Sequence, residues 1–139
     1  MNREEIMKVL PHREPMLLVD EIKPQEDGSV TGQYRIPQDA FFCRGHFPGN
    51  PIVPGVILCE IMAQTCCMLF PEAFEKGLVV YRGMDGIKFR REVRPGDLCE
   101  VHCTLSEQKG SLFLCSVSLA VGAKKCCQGT ITLAAVPKA

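Results

Sequence analysis

The sequence predicts an α+β fold in which an antiparallel β-sheet wraps around one long, buried α-helix. Two observations lead to this prediction. One apolar segment, residues 53–70, has hydrophobic side chains around nearly its whole helical circumference, so protein must enclose it on most sides. Most of the chain after residue 77 alternates with the period of a strand. At 139 residues the chain has the size of one domain, expected to span 1–139.

The composition indicates a globular protein. Hydrophobic residues make up 46% of the chain and charged residues 23%, with a formal net charge of zero. Neither disorder nor a general affinity for nucleic acid is indicated. The charged, amphipathic start of the chain lacks the features of a signal peptide, so a cytoplasmic location is expected. Glu60 and Gln64 interrupt the apolar segment, which therefore predicts a buried helix and not a membrane span.

The cysteines are numerous, but their pattern is not that of a metal or redox site. The chain has nine of them, an odd number, and none of the spacings is C-x-x-C. We therefore expect free, buried thiols in a reducing cytoplasm and no metal.

The first elements follow from local signals. Asn2 and Glu5 form a capping box for a short helix that must end before Pro11. Residues 15–19 are expected to be extended. After a turn at 26–28, residues 30–36 alternate as a half-buried strand does.

From residue 78 onward the chain returns to strand patterns. The clearest strand is 112–121, where the odd-numbered residues Phe113 to Val121 share one face. Gly110 and Gly122 lie in its flanking turns. The predicted strands of this half are 78–81, 87–89, 98–105, 112–121 and 128–135.

The long helix carries two polar residues, Glu60 and Gln64, spaced i, i+4 on one face. That face must be a site or a subunit contact. Because a small sheet would leave its own edge and the helix rim exposed, a dimer is expected to complete the fold.

The segment before the helix predicts acid–base chemistry. Three prolines and three glycines between residues 45 and 55 make the backbone rigid beside His46. Pro54 is expected to be the first helical residue, and Gly55 lets a ligand approach the free amides of the helix start. A glutamate among apolar neighbours, Glu60, can stay protonated as the acid, with His46 as the base.

Together, the helix start, His46 and Glu60 predict the reversible dehydration of a 3-hydroxyacyl thioester. The helix terminus polarises the carbonyl, His46 removes the α-proton, and Glu60 assists the departure of the β-hydroxyl, either as an acid or as the group that orients this hydroxyl. Taken alone, each residue also fits a structural role, and the chemistry by itself leaves catalysis and ligand binding open.

The sequence motifs of the chain resemble those of the 3-hydroxyacyl-[acyl-carrier-protein] dehydratases of the FabZ type. They occur in the same order and extend over nearly the whole chain. The segments that carry the resemblance are Leu10-Pro11-His12-Arg13, Leu17-Leu18-Val19-Asp20, Phe42, Gly45-His46-Phe47-Pro48-Gly49-Asn50-Pro51, Pro54-Gly55-Val56, Glu60-Ile61-Met62-Ala63-Gln64 and Lys88-Phe89-Arg90-Arg91-Glu92-Val93-Arg94-Pro95-Gly96-Asp97.

The resemblance implies the hotdog fold, a homodimer joined through its sheets, and commonly a trimer of dimers. It implies that His46 and Glu60 are the catalytic pair, contributed by opposite subunits, and that the Gly55 amide binds the thioester carbonyl. The reaction implied is dehydration of (3R)-3-hydroxyacyl-[acyl-carrier-protein] to the trans-2-enoyl product in fatty acid elongation, with no cofactor. Substrate contacts are expected at Gly55, Val56, Gln64 and Phe89.

Acyl carrier protein, which presents the substrate on its phosphopantetheine arm, is the acidic partner that the resemblance implies. Four basic residues are candidates for docking it, unless they are merely solvated: Lys88, Arg90, Arg91 and Arg94. Phe89 is expected in the acyl tunnel or, equally, in the core. His12 is expected to be structural, and His102 is assigned no role.

Two departures from the family pattern concern the substrate entrance. Glu14 stands where the family often has an aromatic residue, and Cys43 and Arg44 change the approach to Gly45-His46 by one extra residue. The competing functions are a hotdog acyl thioesterase and a non-catalytic acyl-binding subunit of a lipid or polyketide assembly. A branch that also isomerises the double bond typically has aspartate at position 60.

Overall fold

Six antiparallel strands form one sheet, and the longest helix packs against three of them. The structure is a computed structural model that describes residues 1–137. In chain order the elements are α1 (Arg3–Met7), β1 (Glu21–Pro24), β2 (Val30–Arg35), α2 (Phe41–Arg44), α3 (Gly55–Thr65), a 3₁₀ turn (Cys66–Leu69), α4 (Pro71–Lys76), β3 (Gly77–Phe89), β4 (Leu98–Lys109), β5 (Leu112–Val121) and β6 (Lys124–Pro137). The strand order in the sheet is β1-β2-β4-β5-β6-β3.

The N-terminal helix begins with the predicted capping box. The Asn2 side chain accepts a hydrogen bond from the Glu5 amide at 2.9 Å, and the Asn2 amide donates to the Glu5 carboxylate at 3.1 Å. Both groups would otherwise lack helical partners. Ile6 then anchors α1 in the core.

Most of the predicted strands are confirmed. The strands β2, β4, β5 and β6 correspond to the predictions at 30–36, 98–105, 112–121 and 128–135, and β4 and β6 extend beyond them. The two pieces predicted at 78–81 and 87–89 are one strand, β3, whose pairing with β6 is irregular between Tyr81 and Gly83 and between Asp85 and Lys88. These irregularities break the alternation that identifies a strand in sequence.

The segment 15–19 is not a strand, and the sequence prediction missed β1, which follows it. Leu17, Leu18 and Val19 are all buried, so consecutive side chains do not alternate between core and solvent. The Leu18 amide donates to the Gln64 side chain, at 2.8 Å, instead of to a neighbouring strand.

The central helix α3 is enclosed as its apolar pattern predicts, with Ile61 and Met62 fully buried. It continues into the 3₁₀ turn, so the helical segment reaches Leu69. Contrary to prediction, Pro54 is the N-cap and Gly55 is the first helical residue. Of the helices between residues 1 and 137, none has both the length and the apolar character that crossing a membrane requires.

All nine cysteines are free and buried, as the sequence predicts. They belong to the hydrophobic core that α3 shares with the sheet. Burial raises the pKa of the Cys67 and Cys99 thiols to about 12, so both are protonated and unreactive near neutral pH.

Within residues 1–137, the outer strand β3 leaves a long edge without a neighbouring strand in the sheet. It pairs with β6 on one side only. Five of its hydrophobic side chains are exposed: Leu78, Val80, Tyr81, Met84 and Phe89. An exposed, apolar strand edge is a surface that proteins normally cover.

A close contact between β2 and α3 provides a test of this packing. A Cβ atom on Gly32 would lie 2.6 Å from Cγ2 of Thr65, which is itself fully buried. We expect Gly32→Ala to lower the free energy of unfolding by about 1–3 kcal/mol, the range for overpacked cores. Urea denaturation at fixed protein concentration measures it. Gly45→Ala is the control, since no heavy atom lies within 4 Å there, and equal stability of the two variants would contradict the packing.

Candidate active site

His46 is held at the start of the rigid loop by two hydrogen bonds to one residue. Its Nδ1 lies 3.1 Å from the carbonyl oxygen of Ile52, and its own carbonyl accepts from the Ile52 amide at 2.7 Å. A carbonyl oxygen only accepts, so Nδ1 carries the ring hydrogen. In the neutral ring Nε2 therefore keeps its lone pair and is the atom that can accept a proton.

Arg94 braces the same loop from outside. Its Nη1 donates to Oδ1 of Asn50 at 2.7 Å and to the Pro51 carbonyl at 3.3 Å, and its Nη2 pairs with Glu92 at 2.6 Å. The Val53 amide adds a backbone bond to the Val93 carbonyl at 2.8 Å. The guanidinium of Arg94 is thus engaged in holding the loop that carries His46.

The start of α3 offers two amides to a ligand. The amides of Ile57 and Leu58 donate to the Pro54 carbonyl, whereas those of Gly55 and Val56 precede any possible helical acceptor. Val56 is 75% exposed. The positive end of the helix dipole adds to the attraction of these amides for an oxygen that gains negative charge.

Phe89 lies over this helix start and not in the core. It is 55% exposed, and a Cβ atom on Gly55 would lie only 2.8 Å from its ring. The absence of a side chain at Gly55 is what lets the ring approach. Phe89, Gly55 and His46 line one open cleft of about 410 Å³.

Glu60 lies one and a half turns further along α3, where three side chains surround its carboxylate. Tyr81 donates to Oε1 at 2.8 Å, and Gln64 donates to Oε2 at 3.0 Å. Nε2 of His12 lies 3.3 Å from Oε2. A carboxylate has about four acceptor positions, so one remains open, on Oε1.

The protonation of Glu60 differs from the sequence prediction. Burial alone would raise its pKa, but the hydrogen bonds from His12, Gln64 and Tyr81 outweigh burial and lower the pKa below the ordinary 4.5. Glu60 is therefore ionised near neutral pH, not held protonated by apolar neighbours. Tyr81 is 39% exposed, but its hydroxyl lies against Glu60, and partial burial together with the Glu60 charge raises its pKa, so it stays protonated.

Gln64 is only 2% exposed, and its polar atoms already have protein partners. Besides Glu60, its Nε2 donates to the Met16 carbonyl at 2.8 Å, while its Oε1 accepts from the Leu18 amide. The amide therefore ties the irregular segment 15–19 to the helix and holds Glu60 in place.

Within one chain, His46 and Glu60 line different cavities. The small cavity at Glu60 is walled by His12, Gln64, Tyr81 and neighbouring apolar residues, and His46 is not among them. His46 lines the separate cleft at the helix start. The two residues of the predicted catalytic pair are therefore in separate cavities of one chain.

The remaining basic candidates, Lys88, Arg90 and Arg91, are exposed on and just after β3. None of them forms an ion pair with another residue in the described part of the chain. They adjoin the cleft, which Arg90 and Arg91 help to line.

Sequence reasoning missed two of the residues that contact Glu60. The sequence predicts a structural role for His12, and it predicts a strand at 78–81 without assigning a role to Tyr81. The signal for His12 is its place in the motif Leu10-Pro11-His12-Arg13, whereas the contact itself joins two residues that are far apart in sequence.

The two departures from the family pattern also have defined positions. Glu14 is exposed and pairs with Arg3, which also donates to Asp20 at 2.9 Å. Cys43 is 3% exposed and packs in the core, whereas Arg44 points to solvent at the end of α2. Neither Glu14 nor Cys43 lines the cleft at His46 or the cavity at Glu60.

Known protein sequences resemble this chain over nearly its full length. The family model of ApeI-like proteins, described as ApeI dehydratase, matches residues 21–130. The 3-hydroxyacyl-[acyl-carrier-protein] dehydratase FabZ of Lactococcus lactis subsp. cremoris (strain SK11) is 36% identical over 136 residues, 96% of this chain and 94% of that protein. FabZ of Oenococcus oeni (strain ATCC BAA-331 / PSU-1) is 37% identical over 134 residues, 94% of this chain and 96% of that protein.

Solved structures share the architecture. The dehydratase heterocomplex ApeI:P from Xenorhabdus doucetiae aligns with a TM-score of 0.81 and 17% identity, covering 96% of this chain and 91% of that chain. A hypothetical thioesterase from Streptococcus pneumoniae TIGR4, solved with coenzyme A, aligns with a TM-score of 0.61 and 13% identity, covering 85% and 86%. These likenesses concern the fold alone, and they confirm the predicted hotdog architecture.

The ionised Glu60 predicts a pH dependence of stability. Because its native pKa is lowered, Glu60 stabilises the fold fully above its ordinary pKa of 4.5, and this stabilisation is lost as the pH falls through the lower native value. As the pH drops below 4.5, we expect the free energy of unfolding of the wild type to fall relative to that of Glu60→Gln. Urea denaturation over a pH series measures this difference, and one independent of pH would show that Glu60 is not held as a carboxylate.

Proposed function

Because this chain belongs to the FabZ-type 3-hydroxyacyl-[acyl-carrier-protein] dehydratases, we propose that His46 and Glu60 carry out the reaction together across the interface of a homodimer. The activity is the reversible dehydration of 3-hydroxyacyl-[acyl-carrier-protein] in fatty acid biosynthesis, so the protein is a hydro-lyase. The observation that most supports His46 as the base is its Nδ1 hydrogen bond to Ile52, which leaves the Nε2 lone pair available.

The reaction starts at the helix terminus. The thioester carbonyl oxygen accepts a hydrogen bond from the Gly55 amide, with Val56 beside it, and gains negative charge as the C2 proton leaves. Nε2 of His46 accepts that proton. Phe89, lying against Gly55, forms the wall of the cleft in which the thioester is held.

Glu60 acts at the other end of the reacting unit. Of the two roles that the sequence suggests for it, acid or orienting group, its lowered pKa favours the second. The open acceptor position on Oε1 takes the hydrogen of the 3-hydroxyl and fixes the direction of the C3–O bond. Gln64 contributes by holding Glu60.

The reaction needs no second acid, because one residue can both accept and return the proton. As the C3–O bond breaks, the imidazolium of His46 returns the proton taken from C2 to the departing oxygen, which leaves as water. Both residues are then in their starting states, and this acid–base route needs no cofactor, in line with the family resemblance.

Two observations support the dimer. The half-sites of one chain are separate cavities, and β3 exposes an apolar edge that has no partner in its own sheet. Pairing of β3 with β3 of a second copy would cover this edge. A trimer of dimers is the larger assembly that the family resemblance implies. Light scattering of the purified protein measures both assemblies.

The catalytic assignment is tested by single variants with a 3-hydroxyacyl thioester as substrate. We expect His46→Ala to lower kcat by at least about a hundredfold, the scale of general acid–base catalysis. Enoyl absorbance and free thiol are followed together for the wild type and the variant. In the wild type, thiol release without enoyl formation would indicate the alternative thioesterase activity. Formation of neither product would favour a non-catalytic acyl-binding subunit.

Complementation tests whether the site is shared between subunits. A mixed dimer of His46→Ala and Glu60→Gln has one site with both native residues and one with neither. With equal co-expression we expect about a quarter of wild-type activity to return, because half of the dimers are mixed and each has one intact site. Differently tagged chains identify the mixed dimers. If these dimers are as inactive as either parent, His46 and Glu60 do not meet across the interface.

Docking of acyl carrier protein is proposed at Lys88, Arg90 and Arg91, with Arg94 engaged mainly in bracing the loop. Charge complementarity to an acidic carrier acts on encounter and binding. We expect the double variant Arg90→Glu/Arg91→Glu to raise KM for a carrier-bound substrate much more than KM for the same acyl group on pantetheine. The matched charge control is Lys76→Glu/Lys109→Glu, which reverses two exposed lysines at the opposite end of the sheet. Equal effects of the two double variants on KM for the carrier-bound substrate would contradict the proposal that Lys88, Arg90 and Arg91 dock the carrier.

A further inference from the structure

The turn that follows α1 is built so that the ring of His12 reaches Glu60. The guanidinium of Arg13 donates to three backbone carbonyls, those of Met7 at 3.1 Å, Leu10 at 2.8 Å and His12 at 2.7 Å. Leu10 is 1% exposed and anchors the turn in the core. The backbone of His12 is thereby fixed on both sides, and its ring forms part of the cavity wall beside Glu60.

The two ring nitrogens of His12 have different surroundings. Nε2 lies 3.3 Å from Oε2 of Glu60, a long contact in which a hydrogen on Nε2 faces the carboxylate and contributes to lowering its pKa. Nδ1 is buried and has no hydrogen-bond partner among residues 1–137. A hydrogen on Nδ1 would have no acceptor there and would cost free energy, so the geometry favours the Nε2–H tautomer.

This arrangement distinguishes His12 from a proton donor. A ring that carries a single hydrogen, on Nε2, can hold a carboxylate but has no second proton to deliver. It is also the reverse of His46, in which Nδ1 carries the hydrogen and Nε2 is the free acceptor. The two histidines are thus suited to different tasks.

His12 completes a set of three donors that leaves Glu60 one open acceptor position. Gln64 donates from α3 itself and Tyr81 from β3, and His12 donates from the N-terminal turn. The titratable groups facing Glu60 are His12, Tyr81 and the adjacent Cys59. Without the His12 donor the Oε2 side of the carboxylate would keep only Gln64, and Glu60 could turn about its terminal bond.

We propose that His12 is a positioning residue for the dehydration, whose Nε2–H holds Oε2 of Glu60 so that the open position on Oε1 is aimed at the substrate hydroxyl. The inference rests on the proposed role of Glu60. It assigns to the N-terminal turn a part in the reaction, although His12 itself touches no reacting atom.

Three variants of His12 separate positioning from a structural role. His12→Phe keeps the flat ring and loses the donor, His12→Gln places an amide donor near the position of Nε2, and His12→Asn has a donor that is too short to reach it. We expect His12→Phe and His12→Asn to lower kcat by about tenfold to a hundredfold, the scale of a misplaced reacting group, with KM for the carrier-bound substrate little changed. His12→Gln should recover most of kcat. A purely structural role predicts that kcat follows thermal stability across the three variants, regardless of the donor.

Two further measurements locate the effect at Glu60. The double variant His12→Phe/Glu60→Gln should be no slower than Glu60→Gln alone, because His12 acts only through that carboxylate. Above pH 4.5, the stability lost on Glu60→Gln should be smaller in the His12→Phe background than in the wild type, since Glu60 there lacks a donor that lowers its pKa. Additive losses in kcat, or an equal loss of stability in the two backgrounds, would overturn the proposal.

The unaltered protein provides a measurement that does not depend on the folding of any variant. Nitrogen NMR of ¹⁵N-histidine-labelled protein reports which ring nitrogen carries the hydrogen, and the chain has only three histidines. We expect Nε2–H for His12 and Nδ1–H for His46. The wrong tautomer at His12 alone would overturn the positioning role, whereas the wrong tautomer at His46, or full activity of Glu60→Gln, would overturn the proposed function.

Discussion

The fold depends on satisfying one carboxylate, that of Glu60, in the middle of a helix that is mostly apolar. Removing a charge from water is costly unless hydrogen bonds replace its hydration. The three donors come from the N-terminal turn, from α3 and from the outer strand β3, which are far apart in sequence. Gln64 also binds the backbone of the irregular segment 15–19. The same contacts therefore prepare the site and close the protein around its helix.

The outer strand would connect the proposed dimer to the proposed role of Glu60. Tyr81 lies on β3, whose free edge is apolar and exposed, and its hydroxyl holds Oε1 of Glu60. A second strand paired along that edge would fix the backbone that carries Tyr81 and, through it, the carboxylate. The oxygen atom that β3 steadies is the one with the open acceptor position. Dimerisation would then order the site as well as bring its two halves together.

The sequence allowed prediction of the parts that depend on local pattern. Alternation identified β2, β4 and β5 because each has one face in the core, and the Asn2–Glu5 capping box marked α1. The short strand β1 was missed because only Ile22 of its four residues is buried. Two irregularities in the pairing with β6 made β3 look like two strands.

The candidate site was predictable only in part, for the same reason. His46 and Glu60 stand out because the rigid loop and the helix pattern are local. The protonation of Glu60 was predicted wrongly because its neighbours in sequence are apolar, whereas its donors Tyr81 and His12 come from distant segments. Contacts of this kind depend on tertiary packing, which periodicity does not report.

The nine buried thiols tie the lifetime of the protein to the redox state of its surroundings. While the chain is folded, burial keeps all nine out of reach of reagents, and it raises the pKa of Cys67 and Cys99 to about 12. Every excursion to the unfolded state exposes all nine at once. An oxidant that converts the exposed thiols to mismatched disulfides before refolding prevents the chain from regaining its native fold. The lifetime of the folded protein under oxidising conditions is therefore governed by the unfolding rate and not by the equilibrium free energy of unfolding.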